Sequence, residues 1–175
     1  MLYSELQCSE AIRKAVERMG FAEMTEIQEK TIPVMLAGHD VIAKAPTGTG
    51  KTCAFGIPVA EHIDPEKKYP QAVIMAPTRE LAQQIAEELT ELTYFMPEVQ
   101  VACVYGGANM EKQARRLAEG CQIVVATPGR LMDHYKHHSI DLAHVTQVVL
   151  DEADEMLNMG FYKDVRHIIE LMKAR

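Results

Sequence analysis

The chain has 175 residues, 47% hydrophobic and 25% charged, with 10 Gly and 8 Pro, a composition that fits one soluble globular domain and excludes collagen-like, low-complexity and disordered classes. Eighteen Lys and Arg against 25 Asp and Glu leave a net charge of −7, so nucleic-acid binding by bulk charge is disfavoured and any such contact needs a localised patch. No apolar run approaches the roughly 18 residues of a membrane helix. The start, MLYSELQCSE, lacks the basic-then-apolar order of a secretion signal, so a cytoplasmic protein is expected. The four cysteines (Cys8, Cys53, Cys103, Cys121) include no CxxC pair and have no His at ligand spacing, which reads as scattered free thiols.

In chain order, Ile12, Ala15, Val16 and Met19 give a first helix one apolar face. Thr25-Glu26-Ile27-Gln28 is a capping box opening a second helix, which Pro33 is expected to break near Ile32. Val41–Ala45 is the first of five apolar runs that read as buried strands; the others are Ala72–Ala76, Val101–Tyr105, Gln122–Ala126 and Thr146–Leu150. A glycine-rich turn after Ala45 opens a third helix at Gly50 or Lys51, and Asp64–Pro70 is a surface loop. Leu81, Ile85, Leu89 and Leu92 line one face of the next helix. A helix over Met110–Ala118 carries Arg115-Arg116 as an exposed pair. His134, His137 and His138 with Lys136 read as a solvated helix end, and the 11 Met as core filler. A last helix spans Phe161–Lys173, with Val165, Ile168, Ile169 and Met172 apolar.

Strands alternating with helices predict an α/β doubly wound domain with a mostly parallel sheet covered on both faces. In such a sheet every strand's carboxyl end lies on one edge, so helices starting near Gly50, Thr78 and Thr127-Pro128 direct their N-termini to that edge. Unpaired N–H groups and partial positive charge there suit anionic ligands. Ala45-Pro46-Thr47-Gly48-Thr49-Gly50-Lys51-Thr52 fits the Walker A spacing, with Ala45 in place of the first Gly. Gly48 and Gly50 let backbone N–H groups curl around phosphate oxygens, Lys51 reaches the β and γ phosphates, and the Thr52 hydroxyl takes Mg²⁺. Asp151-Glu152-Ala153-Asp154 follows the last strand and falls on the same edge, so Asp151 is placed to hold Mg²⁺ largely through water and Glu152 to orient or deprotonate the attacking water. Together they read as nucleotide hydrolysis.

Taken in order, Gly20-Phe21, Ile27-Gln28, APTGTGKT, Pro77-Thr78-Arg79-Glu80-Leu81-Ala82, Gly106-Gly107, Thr127-Pro128-Gly129-Arg130 and Asp151-Glu152-Ala153-Asp154 resemble the DEAD-box ATP-dependent RNA helicases, over nearly the whole chain. The resemblance implies their first RecA-like domain, a three-layer P-loop fold, with residues 1–38 as adenine-recognition helices and 39–175 as the P-loop core. It implies ATP and Mg²⁺ as cofactors. Phe21 would pack near the adenine, Gln28 would bond its edge, and Tyr3 stands where the family usually has a supporting Phe. Residues 45–52 would hold the phosphates. Pro77, Thr78, Arg79, Gly106, Gly107, Thr127, Gly129 and Arg130 would lie along an RNA backbone, independent of base sequence. Asp154 would link the nucleotide site to the family's Ser-Ala-Thr motif, and a second RecA-like domain would be the partner of this monomeric fragment.

From the residues alone, capping accounts for Gln28 better than adenine recognition does, although an amide can pair bidentately with adenine N6 and N7. Arg79 and Arg130 sit on helix N-termini, where the dipole disfavours a cation unless an anion is present; a helix cap or a pair with Asp133 is the alternative. Met24 replaces the family's usual Pro. The sequence ends at Arg175, ahead of any Ser-Ala-Thr motif or arginine finger, so the fragment alone is expected to bind adenine nucleotide weakly and hydrolyse it barely. A catalytically inert RNA clamp and a DNA-directed P-loop motor are the competing readings; Lys51 and Glu152, both present, oppose the first.

Overall fold

Four of the five apolar runs become strands: β1 (Ala72–Met75), β2 (Val101–Val104), β3 (Ile123–Ala126) and β4 (Gln147–Leu150). They form a parallel sheet in the order β2-β3-β1-β4, with Ala72 opposite both Ile123 and Gln147 and Val101 opposite Ile123. The structure, a computed structural model, describes residues 1–46 and 50–175. The Walker A residues Thr47, Gly48 and Thr49 therefore lie outside the described residues.

The described chain packs as two units, Met1–Ile63 with Glu87–Pro97 and Asp64–Ala86 with Glu98–Arg175. The second unit holds the sheet. Every β1 and β3 side chain is fully buried, as unbroken apolar runs predict for strands covered on both faces. β2 alternates half-buried with buried residues, and β4, at the sheet's edge, is half-buried with Leu150 exposed, so the expectation of buried strands fails there. Val73, Met75, Val104, Val124 and Ala126 form one core with Leu117, Leu131, Met156 and Ile168. Those four come from α5 (Met110–Ala118), α6 (Pro128–Lys136), α7 (Ala153–Asn158) and α8 (Tyr162–Leu171). Each strand is followed by a loop and then a helix, so the carboxyl ends of β1 to β4 open onto Thr78, Gly106, Thr127 and Asp151. The loop over 64–70 is organised by Gln71, whose amide donates to the Asp64 and Lys67 carbonyls at 2.8 and 3.1 Å.

The first unit contains α1 (Glu10–Arg18), α2 (Glu26–Leu36) and α3 (Lys51–Glu61). Ser9 caps α1, its hydroxyl accepting from the Ile12 N–H. Ile12, Val16, Ile32, Ile57 and Leu89 are buried. Two expectations fail here. Pro33 does not break α2, which runs on to Leu36. A helical proline deprives the carbonyl four residues earlier of its donor, and that residue, Glu29, is exposed, so water can satisfy the group. Val41–Ala45 forms no strand, and Ile42 is fully exposed. A parallel strand takes its ladder partners from remote segments, which an apolar run interrupted by Lys44 does not encode.

Candidate nucleotide site and nucleic-acid interface

The two ends of the proposed chemistry lie in different units. In the first, Gly50 caps α3 in the left-handed region, with φ +81°. A Cβ added there would stand 2.3 Å from Gln28 Nε2, a contact only glycine avoids. Lys51 and Thr52 begin the helix, as the spacing predicts. Gln28 is 3% exposed. Its Oε1 accepts from the Thr25 N–H at 3.0 Å and from the Tyr3 hydroxyl, and its Nε2 donates to the Gly50 carbonyl at 3.1 Å. The capping arrangement is therefore formed, and among the described residues the amide's second N–H meets no acceptor. Tyr3, in a 3-10 turn over Tyr3–Glu5, makes a bond that a Phe could not. Met24 likewise donates its N–H to the Met1 carbonyl at 2.9 Å, which a Pro would forgo.

Phe21, Thr25, Gln28, Gly50, Cys53, Glu88 and Glu91 help line a cavity of about 430 Å³. An exposed aromatic ring beside an amide N–H fits a purine base, whose faces stack and whose edge accepts. Glu88 and Glu91 give this wall negative charge, which disfavours a phosphate there. Burial pushes the Cys53 thiol up to about 12, with Glu88 and Glu91 adding to the shift, so it is inert in this wall. All four cysteines are free.

In the second unit the acidic tetrad sits at the end of β4. Asp151 is buried, and its N–H extends the ladder to the Met75 carbonyl at 3.0 Å. Its Oδ1 accepts from the Glu152 N–H at 3.1 Å. Glu152 itself is left-handed, φ 52° and ψ 52°, a conformation costing a non-glycine residue about 1–3 kcal/mol and concentrated at functional sites. Asp154 is exposed on the first turn of α7.

Three further strand ends surround the expected RNA positions. Pro77 is buried and leads into Thr78, whose hydroxyl caps α4 (Arg79–Leu92) by accepting from the Leu81 N–H at 3.2 Å. Exposed Arg79 places its guanidinium 4.6 Å from the Tyr105 ring centroid. Gly107 has φ +85°, and a Cβ there would lie 3.7 Å from Arg79 Nη1. Thr127 and Pro128 hold the cap and first-turn positions of α6, and among the described residues the Thr127 hydroxyl makes no capping bond. Gly129 follows, half-buried. Arg130 is only 13% exposed and bonds the Ala108 carbonyl and Gln113 Oε1, each at 3.0 Å, with Asp133 3.7 Å from its Nε. Both helix-start arginines thus have protein partners, so their position alone does not demand an anion.

Two surface readings are corrected. His134 is fully buried, its Nε2 3.0 Å from Gln113 Oε1, because it faces inward one turn after Arg130. Burial, with Arg130 adding to it, holds its imidazole below the ordinary value of 6.5. Arg116 is no mere surface residue: it donates to the Gly120 and Val101 carbonyls at 3.3 Å and staples the end of α5 to β2.

The DEAD/DEAH box helicase family model matches residues 25–175. The chain belongs to this family. It is 52% identical over 170 residues to the ATP-dependent RNA helicase CshA of Limosilactobacillus reuteri, covering 97% of this chain and 34% of that one. Against CshA of Listeria monocytogenes it is 52% identical over 172 residues, 98% of this chain and 33% of the other. Among solved structures, the DEAD box protein of Methanococcus jannaschii superposes with a TM-score of 0.90 at 40% identity, over 98% of this chain and 47% of its own. The chain therefore spans about a third of the curated relatives it matches. The parallel sheet and its helices are those of the family's RecA-like domains. No helix among the described residues is long and apolar enough to cross a membrane.

Proposed function

We propose that this DEAD/DEAH box chain is the nucleotide-binding half of an ATP-dependent RNA helicase, working in the cytoplasm with a second RecA-like domain. The observation that carries the reading is the convergence within one sheet. Thr78 and Arg79, Gly106 and Gly107, Thr127 and Gly129, and Asp151 and Glu152 all follow the carboxyl ends of parallel strands that pair in one register. Such an edge presents backbone N–H groups and hydroxyls, which hold phosphates without reading bases. The names of the curated relatives, ATP-dependent RNA helicases, support RNA as the polymer.

In this reading Phe21 and Gln28 take the adenine, and residues 45–52 cradle the phosphates, with Lys51 on the transferred group. Thr52 and Asp151 would hold Mg²⁺, which supplies charge neutralisation at the phosphates when bound. Glu152, held out at the head of α7 by its left-handed backbone, orients the attacking water and accepts its proton. Asp154 relays the nucleotide state toward the RNA side. Pro77, Thr78, Arg79, Gly106, Gly107, Thr127, Gly129 and Arg130 form or shape the RNA surface. On its own the 175-residue chain, a monomer in this reading, turns ATP over slowly because charge stabilisation from a partner domain can be worth ~10³–10⁵ in rate.

The test is ATP turnover by the protein that carries this chain, with and without single-stranded RNA or DNA. RNA is expected to stimulate and DNA to fail. Glu152→Gln should lower stimulated turnover by about 10²–10⁴ while a fluorescent ATP analogue still binds. Turnover retained by Glu152→Gln would remove the residue from the chemistry.

A further inference from the structure

The second unit buries polar side chains that the chemistry above leaves unused, Gln113, Gln122 and His134 among them. Gln122 is spent at the amino ends of the strands, donating to the Pro65 and Glu98 carbonyls and accepting from the Gln100 N–H. Gln113 lies at the functional edge, and its partners fix which way its amide points. Arg130 Nη1 can only donate, so the atom 3.0 Å from it is Oε1; the Tyr105 carbonyl can only accept, so the atom 3.0 Å from it is Nε2. His134 Nε2, 3.0 Å from the same Oε1, therefore carries the ring proton. The other ring nitrogen, Nδ1, is buried without a partner among the described residues.

These bonds pin the double-glycine loop at both ends. Gln113 holds the Tyr105 carbonyl before Gly106, and Arg130 holds the Ala108 carbonyl after Gly107. The Tyr105 ring lies under the Arg79 guanidinium, and its hydroxyl accepts from Gln83 Nε2 at 3.0 Å. One neutral amide thus ties together residues from the ends of β1, β2 and β3. A carboxylate in its place would set an oxygen against the Tyr105 carbonyl, and an aliphatic side chain would leave that carbonyl unpaired. The inward Arg130 acts with it, spending its charge on the loop.

We propose that Gln113 is a positioning residue for RNA binding: through Tyr105 and Arg130 it holds the Gly106–Gly107 loop, and with it Arg79, in the register that meets the phosphate backbone. This rests on the RNA reading above, and the experiment separates the two. In the protein that carries this chain, Gln113→Leu should raise the RNA concentration for half-maximal ATPase stimulation about tenfold, while the KM for ATP moves less than about twofold. His134→Phe removes only the third donor to Oε1, leaves both loop bonds in place, and should shift RNA half-saturation less than about twofold. Absence of any RNA stimulation in the unsubstituted protein overturns the RNA reading. Normal stimulation with Gln113→Leu half-saturating at the unsubstituted concentration overturns this inference alone. So does a shift of equal size in His134→Phe, which would mark general loosening of the buried cluster. If Gln113→Leu does not fold, Gln113→Glu decides: it keeps the acceptor for Arg130 and loses the donor to Tyr105, and an unmoved half-saturation overturns the proposal.

Discussion

Gly50 shows how much one residue can be asked to satisfy. Its φ of +81° excludes most side chains on backbone grounds, and the 2.3 Å approach to Gln28 Nε2 excludes them again on packing. Gln28 cannot readily give way, since the Thr25 N–H, the Tyr3 hydroxyl and the Gly50 carbonyl hold its amide. Gly50→Ala should therefore lower stability by about 1–3 kcal/mol. Gly38 provides the internal standard, with φ +89° and nothing within 4 Å of an added Cβ. Gly38→Ala carries only the backbone cost, so Gly50→Ala should shift the denaturant midpoint further; equal shifts would show that the Gln28 contact contributes nothing. The glycine was legible as the turn that opens α3, and its lock on Gln28 was not. Pattern reading assigns Gln28 either to capping or to a base, whereas the folded chain has it capping Thr25 and gripping Gly50 at once. Gln113 was missed for a related reason: its partners lie 8 to 21 residues away, and nothing in the α5 pattern marks a buried amide as a hub.

Helices and strands were readable wherever burial leaves a period in the sequence. The apolar faces of α1 and α4 and the unbroken runs of β1 to β4 lie within a residue or two of where periodicity puts them. Where tertiary context overrides local rules, reading failed, and α2 is the clearest case. Ile32, fully buried beside Pro33, anchors a helix that proline alone would end, while Pro33 and Val34 remain exposed. Proline costs about 3 kcal/mol relative to alanine in a helix interior, part of which is offset by its stiffening of the unfolded chain. Pro33→Ala restores the donor to Glu29 without touching the core. It should stabilise the protein by about 1–2 kcal/mol, read as a raised urea midpoint at constant slope. A lowered midpoint would mean that the proline shapes α2 in a way the rest of the unit requires.

At the scale of the molecule, the acidic charge and the buried imidazole make stability depend on pH in a direction that can be worked out. His134 lies among Arg130 and Asp133 on α6 and His137 just past its end, and burial first, then Arg130, holds its folded value below the usual 6.5. The fold thus favours the neutral ring, and the unfolded chain takes up the proton more readily. Stability from this group is complete above 6.5 and falls as pH drops from there through the lower folded value. Other groups contribute to the total curve, so only a difference isolates His134. His134→Phe removes the titrating group while filling the same buried site. The stability gap between the unsubstituted protein and His134→Phe, from urea unfolding, should be widest above pH 7 and should narrow toward pH 5.5. A gap that stays constant over that range would mean that the imidazole gains a proton as easily inside the fold as outside. That outcome would contradict the bare, buried Nδ1, where a second ring proton finds no acceptor among the described residues.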